Sequence, residues 1–143
     1  MSKNKTTLAV DAMGGDNSPY KVLKGVEIFN KYKSDVEIIL FGDSDIIKNT
    51  ISSQKIQISN FDIIHTSDNI QNDDNANTIL RKRKDSSIYQ GLSYVKNNNK
   101  NSGLVSAGNT GALMILSRLL LGMIEGIDRP AICSLIPNKN NYS

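Results

Sequence analysis

Short apolar runs alternate with amphipathic stretches along this chain, and this alternation constrains the fold more than any other feature of the sequence. Residues 7–10, 36–41, 61–65 and 103–105 each have the length and composition of a buried β-strand. Apolar residues recur at helical spacing in the stretches between these runs. Strands that alternate with helices predict an α/β fold in which a parallel sheet is covered by helices on both faces.

The remaining elements follow from the same patterns. Ser18 and Pro19 predict a helix with a hydroxyl N-cap and proline at its first position, running to about Lys33. Residues 112–123 are apolar nearly all round, which predicts a helix buried between layers. Residues 131–136 predict a last strand that holds Cys133 as a packed core thiol. Further predictions are helices over 45–53, 78–84 and from the Ser86–Ser87 cap to about 95, and a short strand at 56–58.

Composition limits the class of protein. The 143 residues suffice for a single domain over 1–143 with a real core. A net charge of +3 and only 6% aromatic residues argue against a nucleic-acid partner. The single cysteine permits no internal disulfide, and no signal peptide is recognisable. The longest apolar run, 112–124, is shorter than the ~20 residues of a membrane-spanning helix. A cytoplasmic location is therefore expected.

A glycine loop after the predicted strand 103–105 has the parts of an anion cradle. Gly108 and Gly111 permit a tight turn and close approach to a ligand, while Asn109 and Thr110 offer side-chain donors. The helix that follows points its unpaired N–H groups at the loop. The alternative is a strand-to-helix turn, capped by Asn109 or Thr110, that binds nothing. The loop matches neither the P-loop nor the dinucleotide fingerprint, so no nucleotide is expected.

Two aspartates surround a glycine pair at the end of the first predicted strand. Asp11 and Asp16 flank Gly14 and Gly15 in the segment 9–16. Their carboxyl groups are suited to orienting a cofactor, holding a cation or fixing the loop. An equal alternative is that they only bond the backbone of the turn. The pattern leaves these interpretations open.

Other polar residues give weaker signals. The run Arg81 to Lys84 is the only dense basic segment, and it suits either a phosphate or acidic partner or a solvated helix end. His65 is the only histidine, and nothing in the sequence pairs with it as a base would require. No spacing typical of metal ligands occurs, so no metal is expected.

Four segments together resemble a known family. Residues 9–16, 80–87, 105–113 and 122–130 closely resemble the bacterial phosphate acyltransferases known as the PlsX family. The resemblance implies transfer of a fatty acyl group from acyl carrier protein to inorganic phosphate, giving acyl phosphate for phospholipid synthesis. It also implies a three-layer Rossmann-like sandwich related to phosphotransacetylases, no cofactor, a homodimer, and peripheral contact with the inner face of the membrane.

The resemblance also implies roles for individual residues. The catalytic residues would be Ser106, Asn109 and Thr110. Phosphate and substrate would be bound by residues facing the cleft, namely Asp11, Gly14, Gly15, Asp16, Gly108 and Gly111, and by Lys84, Ser86 and Ser87 on its rim. Backbone donors of the loop 106–111 would hold the phosphate or the tetrahedral oxyanion. Phosphate would attack the thioester directly, without a covalent acyl-enzyme.

Members of the resembled family continue well past the position of Ser143. This chain is therefore expected to be truncated at the C-terminus, as the N-terminal part of a longer acyltransferase fold. Two interpretations stay open. In one, the chain is part of a working enzyme that a second polypeptide completes. In the other, it is an inactive remnant or fragment, at most a binding module for acyl carrier protein.

Overall fold

A four-stranded parallel sheet forms the centre of the structure. The computed structural model describes residues 6–71, 73–82, 84–98 and 101–134. The strand order is β3-β2-β1-β4, and each neighbouring pair is parallel. The predicted α/β class is confirmed. In chain order the elements are β1 Thr7–Asp11, α1 Tyr20–Tyr32, β2 Glu37–Gly42, α2 Ser44–Ser53, β3 Phe61–His65, α3 Ala76–Lys82, α4 Ser87–Asn97, β4 Ser102–Val105 and α5 Thr110–Leu121.

The two faces of the sheet are covered by different helices. On one face, Val10, Ile38 and Leu40 pack with residues of α1 and α2. On the other, Ala9, Ile39 and Phe41 contact α4 through Tyr94 and Val95. Helix α5 packs against α4 around Ile88, Leu92 and Leu116, and α3 packs in turn against α5. The alternation of side chains along β1 and β2 accounts for this division, because successive residues of a strand point to opposite faces.

Three helices begin with the side-chain caps that their sequences suggest. Asp43, Ser86 and Asn109 each accept a backbone N–H from the first turn of α2, α4 and α5. The prediction of a hydroxyl cap for α1 is wrong, because Pro19 occupies the N-cap position without a side-chain bond. The Ser18 hydroxyl instead donates to the carbonyl oxygens of Met13 and Gly15, at 2.9 and 2.6 Å, and so braces the preceding loop.

Two predicted strands are absent from the described residues. Residues 56–58 have no strand geometry, although Ile56 is buried in the core beside α1 and α2. Residues 131–134 are irregular and exposed, and 135–136 lie outside the described residues. Cys133 is therefore exposed and not a core thiol. The physical reason is that residues 131–134 form no hydrogen-bond ladder with β4, the strand at that edge.

Helix α5 is less buried than its composition predicts. Only Ala112 and Leu116 are buried, whereas Leu119 and Leu121 are about half exposed. The buried residues face α3 and α4, whereas residues 122–124 and 130–132 border another side of α5 across an open cavity. No helix within the described ranges is both long and apolar enough to cross a bilayer.

Candidate functional site

Two loops meet where the adjacent parallel strands β1 and β4 end. The first loop, residues 11–19, leads from β1 to α1, and the second loop, residues 106–111, leads from β4 into α5. The Asp11 side chain joins them, because its Oδ2 accepts a 2.7 Å hydrogen bond from the Ser106 hydroxyl. Its Oδ1 accepts the backbone N–H of Met13 at 3.1 Å. Asp11 is 1% exposed, so this carboxyl group fixes the two loops together from below the surface.

Ser106 also makes a hydrogen bond within its own loop. Its hydroxyl oxygen accepts the backbone N–H of Gly108 at 3.1 Å while the hydroxyl donates to Asp11. The N–H of Gly108 is consequently engaged inside the loop. It is not free to donate to a ligand unless this contact opens.

The glycines of the first loop are required by its contact with the second. A Cβ on Gly14 would overlap the Asp11 carboxyl group and would lie 2.8 Å from the backbone N of Gly108. A Cβ on Gly15 would lie 2.7 Å from the carbonyl oxygen of Ala107, and Gly15 also has a φ of +86°. The two loops therefore approach at a distance that leaves no room for a side chain. Their glycines serve loop-to-loop packing, a role that the spacing of the sequence did not specify.

Asn109 begins helix α5 and also contacts a third segment. Its Oδ1 accepts the N–H of Ala112 at 2.9 Å, and its Nδ2 donates to the carbonyl oxygen of Gln71 at 3.1 Å. The capping interpretation of this residue is thus realised in the structure. These contacts do not test the predicted catalytic role of Asn109, which stays a prediction.

The first turn of α5 holds the backbone donors of this site. Thr110 and Gly111 are exposed, and within the described ranges neither of their N–H groups donates a hydrogen bond. They belong to a helix of 12 residues, whose partial positive charge is concentrated at this end. An anion placed here would meet two directed donors and a favourable helix dipole.

The remaining predicted site residues occupy different environments. Asp16 is exposed on the first loop, and Lys84 is exposed ahead of α4. Ser86 and Ser87 are 0% and 1% exposed. The Ser86 hydroxyl oxygen accepts the N–H of Tyr89 at 3.4 Å, and the N–H of Ser87 donates to Asp68. Phosphate binding by these serines stays a prediction, and it requires the start of α4 to open.

The segment 66–71 is a part of the site that the sequence analysis did not single out. It crosses the carboxyl edge of the sheet after β3 and contacts both Asn109, through Gln71, and Ser87, through Asp68. With Met13, Asp43 and Ile46, its residues Thr66 to Asn69 enclose a polar pocket of about 200 Å³. The sequence did contain a signal for this segment, since it is a polar run directly after a predicted strand. Parallel strands end at the same edge of the sheet, where ligands bind.

His65 lies at a different helix start. Its Nδ1 accepts the backbone N–H of Ser44 at 3.2 Å, beside the cap of α2. There Asp43 has a pKa below its ordinary value, because its carboxylate accepts the N–H of Ile46 and then that of Asp45, with a smaller contribution from His65. The histidine therefore supports α2 and is not joined to Asp11 or Ser106.

Comparison with known proteins identifies the lineage. Residues 6–143 match the family described as "Fatty acid synthesis protein". A phosphate acyltransferase of Caldicellulosiruptor bescii is 41% identical over 133 residues, which cover 93% of this chain and 40% of the relative. Those of Pelagibacter ubique and Clostridioides difficile are 42% and 39% identical, over 95% and 92% of this chain and 40% and 38% of each relative.

The alignment also defines the extent of the match. The chain spans about 40% of the length of the relatives. Within that span it includes both loops, all four strands and the helix that follows the second loop. The chain belongs to the fatty acid synthesis protein family, and the relatives it matches are named phosphate acyltransferase.

Proposed function

We propose that the two loops bind inorganic phosphate and form one side of the active site of a phosphate acyltransferase. The observation that carries this proposal is the start of α5, where Thr110 and Gly111 are exposed, their N–H groups make no hydrogen bond within the described ranges, and the cap, Asn109, is neutral. Contact with the buried Asp11 through Ser106 holds this helix end against the first loop. A rigid pair of donors at a helix terminus suits the binding of a phosphate oxygen or a developing oxyanion.

The proposed substrate is a fatty acyl thioester of acyl carrier protein. A phosphate oxygen attacks the thioester carbonyl carbon, and the negative charge moves to the carbonyl oxygen in a tetrahedral intermediate. The carbon–sulfur bond then breaks, the acyl phosphate is released, and the sulfur leaves as a thiol after taking up the proton lost by phosphate. A backbone donor aimed at the tetrahedral oxyanion contributes about 3–4 kcal/mol to the transition state.

The partners and setting are part of this proposal. Acyl carrier protein would approach the edge that carries the loops, near the exposed Lys84. A homodimer in the cytoplasm, with peripheral contact to the inner face of the membrane, would place the product near the enzymes of phospholipid synthesis. Neither a cofactor nor a metal is needed, since phosphate itself is the nucleophile.

A turnover assay tests the reaction. The purified chain is incubated with palmitoyl–acyl carrier protein and phosphate, and hydroxylamine traps acyl phosphate as the hydroxamate. Because hydroxylamine also reacts directly with the thioester, reactions that lack phosphate or the chain supply the background. Hydroxamate and thiol should rise above this background in equal amounts only when phosphate and the chain are present together. Chain-dependent thiol release that is the same without phosphate would contradict the proposal.

A second arm separates a working enzyme from an inactive fragment. If the chain alone gives no hydroxamate, it is mixed with the C-terminal remainder of the Caldicellulosiruptor bescii relative, and activity is expected to appear. Phosphate-dependent thermal stabilisation of the chain is measured in parallel, against chloride at equal ionic strength. Stabilisation without turnover in either mixture would support the remnant interpretation. Absence of both would overturn the proposed site.

A further inference from the structure

Strand β4 has an open edge. It pairs with β1, and no other strand of the described ranges lies beside it. The N–H of Thr7 donates to the carbonyl oxygen of Asn101 at 2.9 Å, which fixes the phase of the hydrogen bonds between β1 and β4. Alternate residues of a strand in a parallel pair direct their backbone groups to opposite sides. The N–H and C=O groups of Ser102 and Leu104 therefore point away from β1, where no described residue bonds them.

Helix α1 carries an apolar stripe on the side that faces this edge. Gly25 and Phe29 line a groove whose opposite wall includes Val105 of β4. Ile28 and Tyr32 lie three and seven residues after Gly25, so they belong to the same side of the helix. They are 55% and 79% exposed. A helix with a single packed face would carry polar residues at such positions. We call Gly25, Ile28, Phe29 and Tyr32 the α1 stripe.

The layer of helices on this face of the sheet ends at α1. Residues of α1 pack over β1 and β2, on Val10, Ile38 and Leu40. Neighbouring helices of a layer lie about 8–10 Å apart, which is about two strand spacings. The next helix in this layer would therefore lie over β4 and one further strand. The described chain fills neither place, since Val105 is 53% exposed and a Cβ on Gly25 would meet no atom within 4 Å.

We infer that this edge binds the portion of a phosphate acyltransferase that lies outside the match to this chain. A strand of that portion pairs with β4, and a helix packs over β4 against the α1 stripe. The 133 matched residues are 40% of the Caldicellulosiruptor bescii relative, so about 200 of its residues lie outside the match. That length is enough for a further domain that holds both elements. Binding of this kind does not require the proposed reaction.

A second copy of this chain fits the edge less well. A two-fold axis normal to the sheet would pair β4 antiparallel with its own copy. The two α1 helices would then be separated by four strand spacings, or about 19 Å, whereas packed helices lie about 8–10 Å apart. The α1 stripe would stay uncovered. A partner that brings both a strand and a helix covers the edge and the stripe together.

Co-expression tests the binding. The chain, with an affinity tag, is expressed together with the untagged portion of the Caldicellulosiruptor bescii relative outside the match, and the captured material is sized by analytical ultracentrifugation. A soluble 1:1 complex is expected. The intact relative is the control and should not be captured, because its own residues already cover the corresponding edge. Failure to recover the portion with the chain would overturn the inference, and so would equal capture of the intact relative.

A pair of isoleucine variants tests the α1 stripe. Ile28→Lys places a charge where the partner helix would bury it, so the dissociation constant of the complex should rise at least about tenfold. Ile46→Lys is the matched control, because Ile46 is 45% exposed but lies on α2, beyond α1 from β4. Its complex should keep the parent affinity. Denaturant unfolding checks that both variants are folded. Equal affinities in the two folded variants would refute packing on the stripe.

Amide hydrogen exchange, followed by NMR, tests the strand pairing. In the chain alone, the N–H groups of Ser102 and Leu104 should exchange fast and those of Gly103 and Val105 slowly, because only the latter pair bonds β1. In the complex this alternation should disappear, with exchange at 102 and 104 slowed at least about 100-fold. Persistent alternation in the complex would contradict pairing at β4. Protection of Ser102 and Leu104 in a dimer of the chain alone would assign the edge to a second copy and overturn the inference.

Discussion

Helices α2 and α5 both begin at the carboxyl edge of the sheet, with nearly the same cap geometry but with different charge. The backbone of Asp43 has φ −63° and ψ 113°, and that of Asn109 has φ −62° and ψ 111°. Each side chain accepts N–H groups of the turn that follows. The cap of α2 is a carboxylate, with Asp45 adding a second acidic group in the first turn, whereas the first turn of α5 has no acidic residue.

The difference explains why one helix start suits an anion and the other does not. A carboxylate cap compensates the positive end of the helix dipole, so an added anion meets negative charge. An amide cap satisfies the same backbone donor and leaves the positive end uncompensated. The loop that leads into α5 is also bonded to the first loop, through the Ser106 hydroxyl and Asp11.

The largest expected effect comes from breaking this attachment. Gly14→Ala places a methyl group 2.8 Å from the Gly108 nitrogen and in overlap with the Asp11 carboxyl group. Because backbone must move to accept it, we expect a loss of about 3 kcal/mol in the free energy of unfolding. Urea unfolding measures the change. The matched control is Gly111→Ala, whose Cβ would meet only the Asn109 side chain at 3.3 Å, and equal losses in both variants would contradict the proposed packing.

Asn109→Asp gives α5 the charged cap of α2. The carboxylate keeps an acceptor for the Ala112 N–H but opposes an incoming anion, so phosphate affinity should fall roughly tenfold. The free energy of unfolding should change by less than about 1 kcal/mol, since better capping offsets the lost contact with Gln71. Phosphate-dependent shifts in melting temperature report the affinity. Unaltered phosphate stabilisation would place the anion elsewhere.

Asn109→Ala removes the cap without adding charge. The expected cost is about 1 kcal/mol of unfolding free energy, because the Ala112 N–H loses its acceptor. Asn75→Ala is the matched variant, since the Asn75 Oδ1 accepts the N–H of Thr78 at the start of α3 and the residue belongs to neither loop. Both should be destabilised to a similar extent, but only the change at 109 should affect turnover. Normal turnover in a folded Asn109→Ala protein would remove Asn109 from the catalytic set.

The sequence predicted the strands and helices well where local and tertiary preferences agree. The runs 61–65 and 103–105 became β3 and most of β4, and Ser86 caps α4 as its position suggests. Prediction failed where the outcome depended on contacts distant in the sequence. Residues 131–134 have strand-like composition, but a strand also requires alignment beside a neighbour, and these residues do not pair with the edge strand β4. Ser18 was a plausible cap until two nearby carbonyl groups competed for its hydroxyl.

The sequence predicted where the site lies in the fold but not which of its residues contact one another. Glycines after two strands indicated the carboxyl edge of a parallel sheet, where ligands bind. Spacing did not indicate that Asp11 and Ser106, 95 residues apart, share a hydrogen bond. Nor did it indicate that the Gly108 N–H is used within the loop, which shifts the expected donors to Thr110 and Gly111. Pairwise geometry of this kind arises only when two loops are folded against each other.

The smallest expected effect comes from giving α2 a neutral amide cap like that of α5, by the substitution Asp43→Asn. The pKa of Asp43 is lowered in the folded protein by the N–H groups of Ile46 and Asp45. The charged cap therefore contributes stability above the unfolded-state pKa of about 3.9, and this contribution is lost as the pH falls through the lower folded value. Asp43→Asn keeps an acceptor but does not titrate, so its unfolding free energy should decline less steeply than that of the parent below about pH 4. Denaturant unfolding from pH 7 to pH 2.5 compares the two proteins. If the unfolding free energies of the two proteins fell in parallel with pH, the Asp43 charge would not stabilise α2. Helices α2 and α5 would then differ in the attachment of the loop before α5 and not in the charge of their caps.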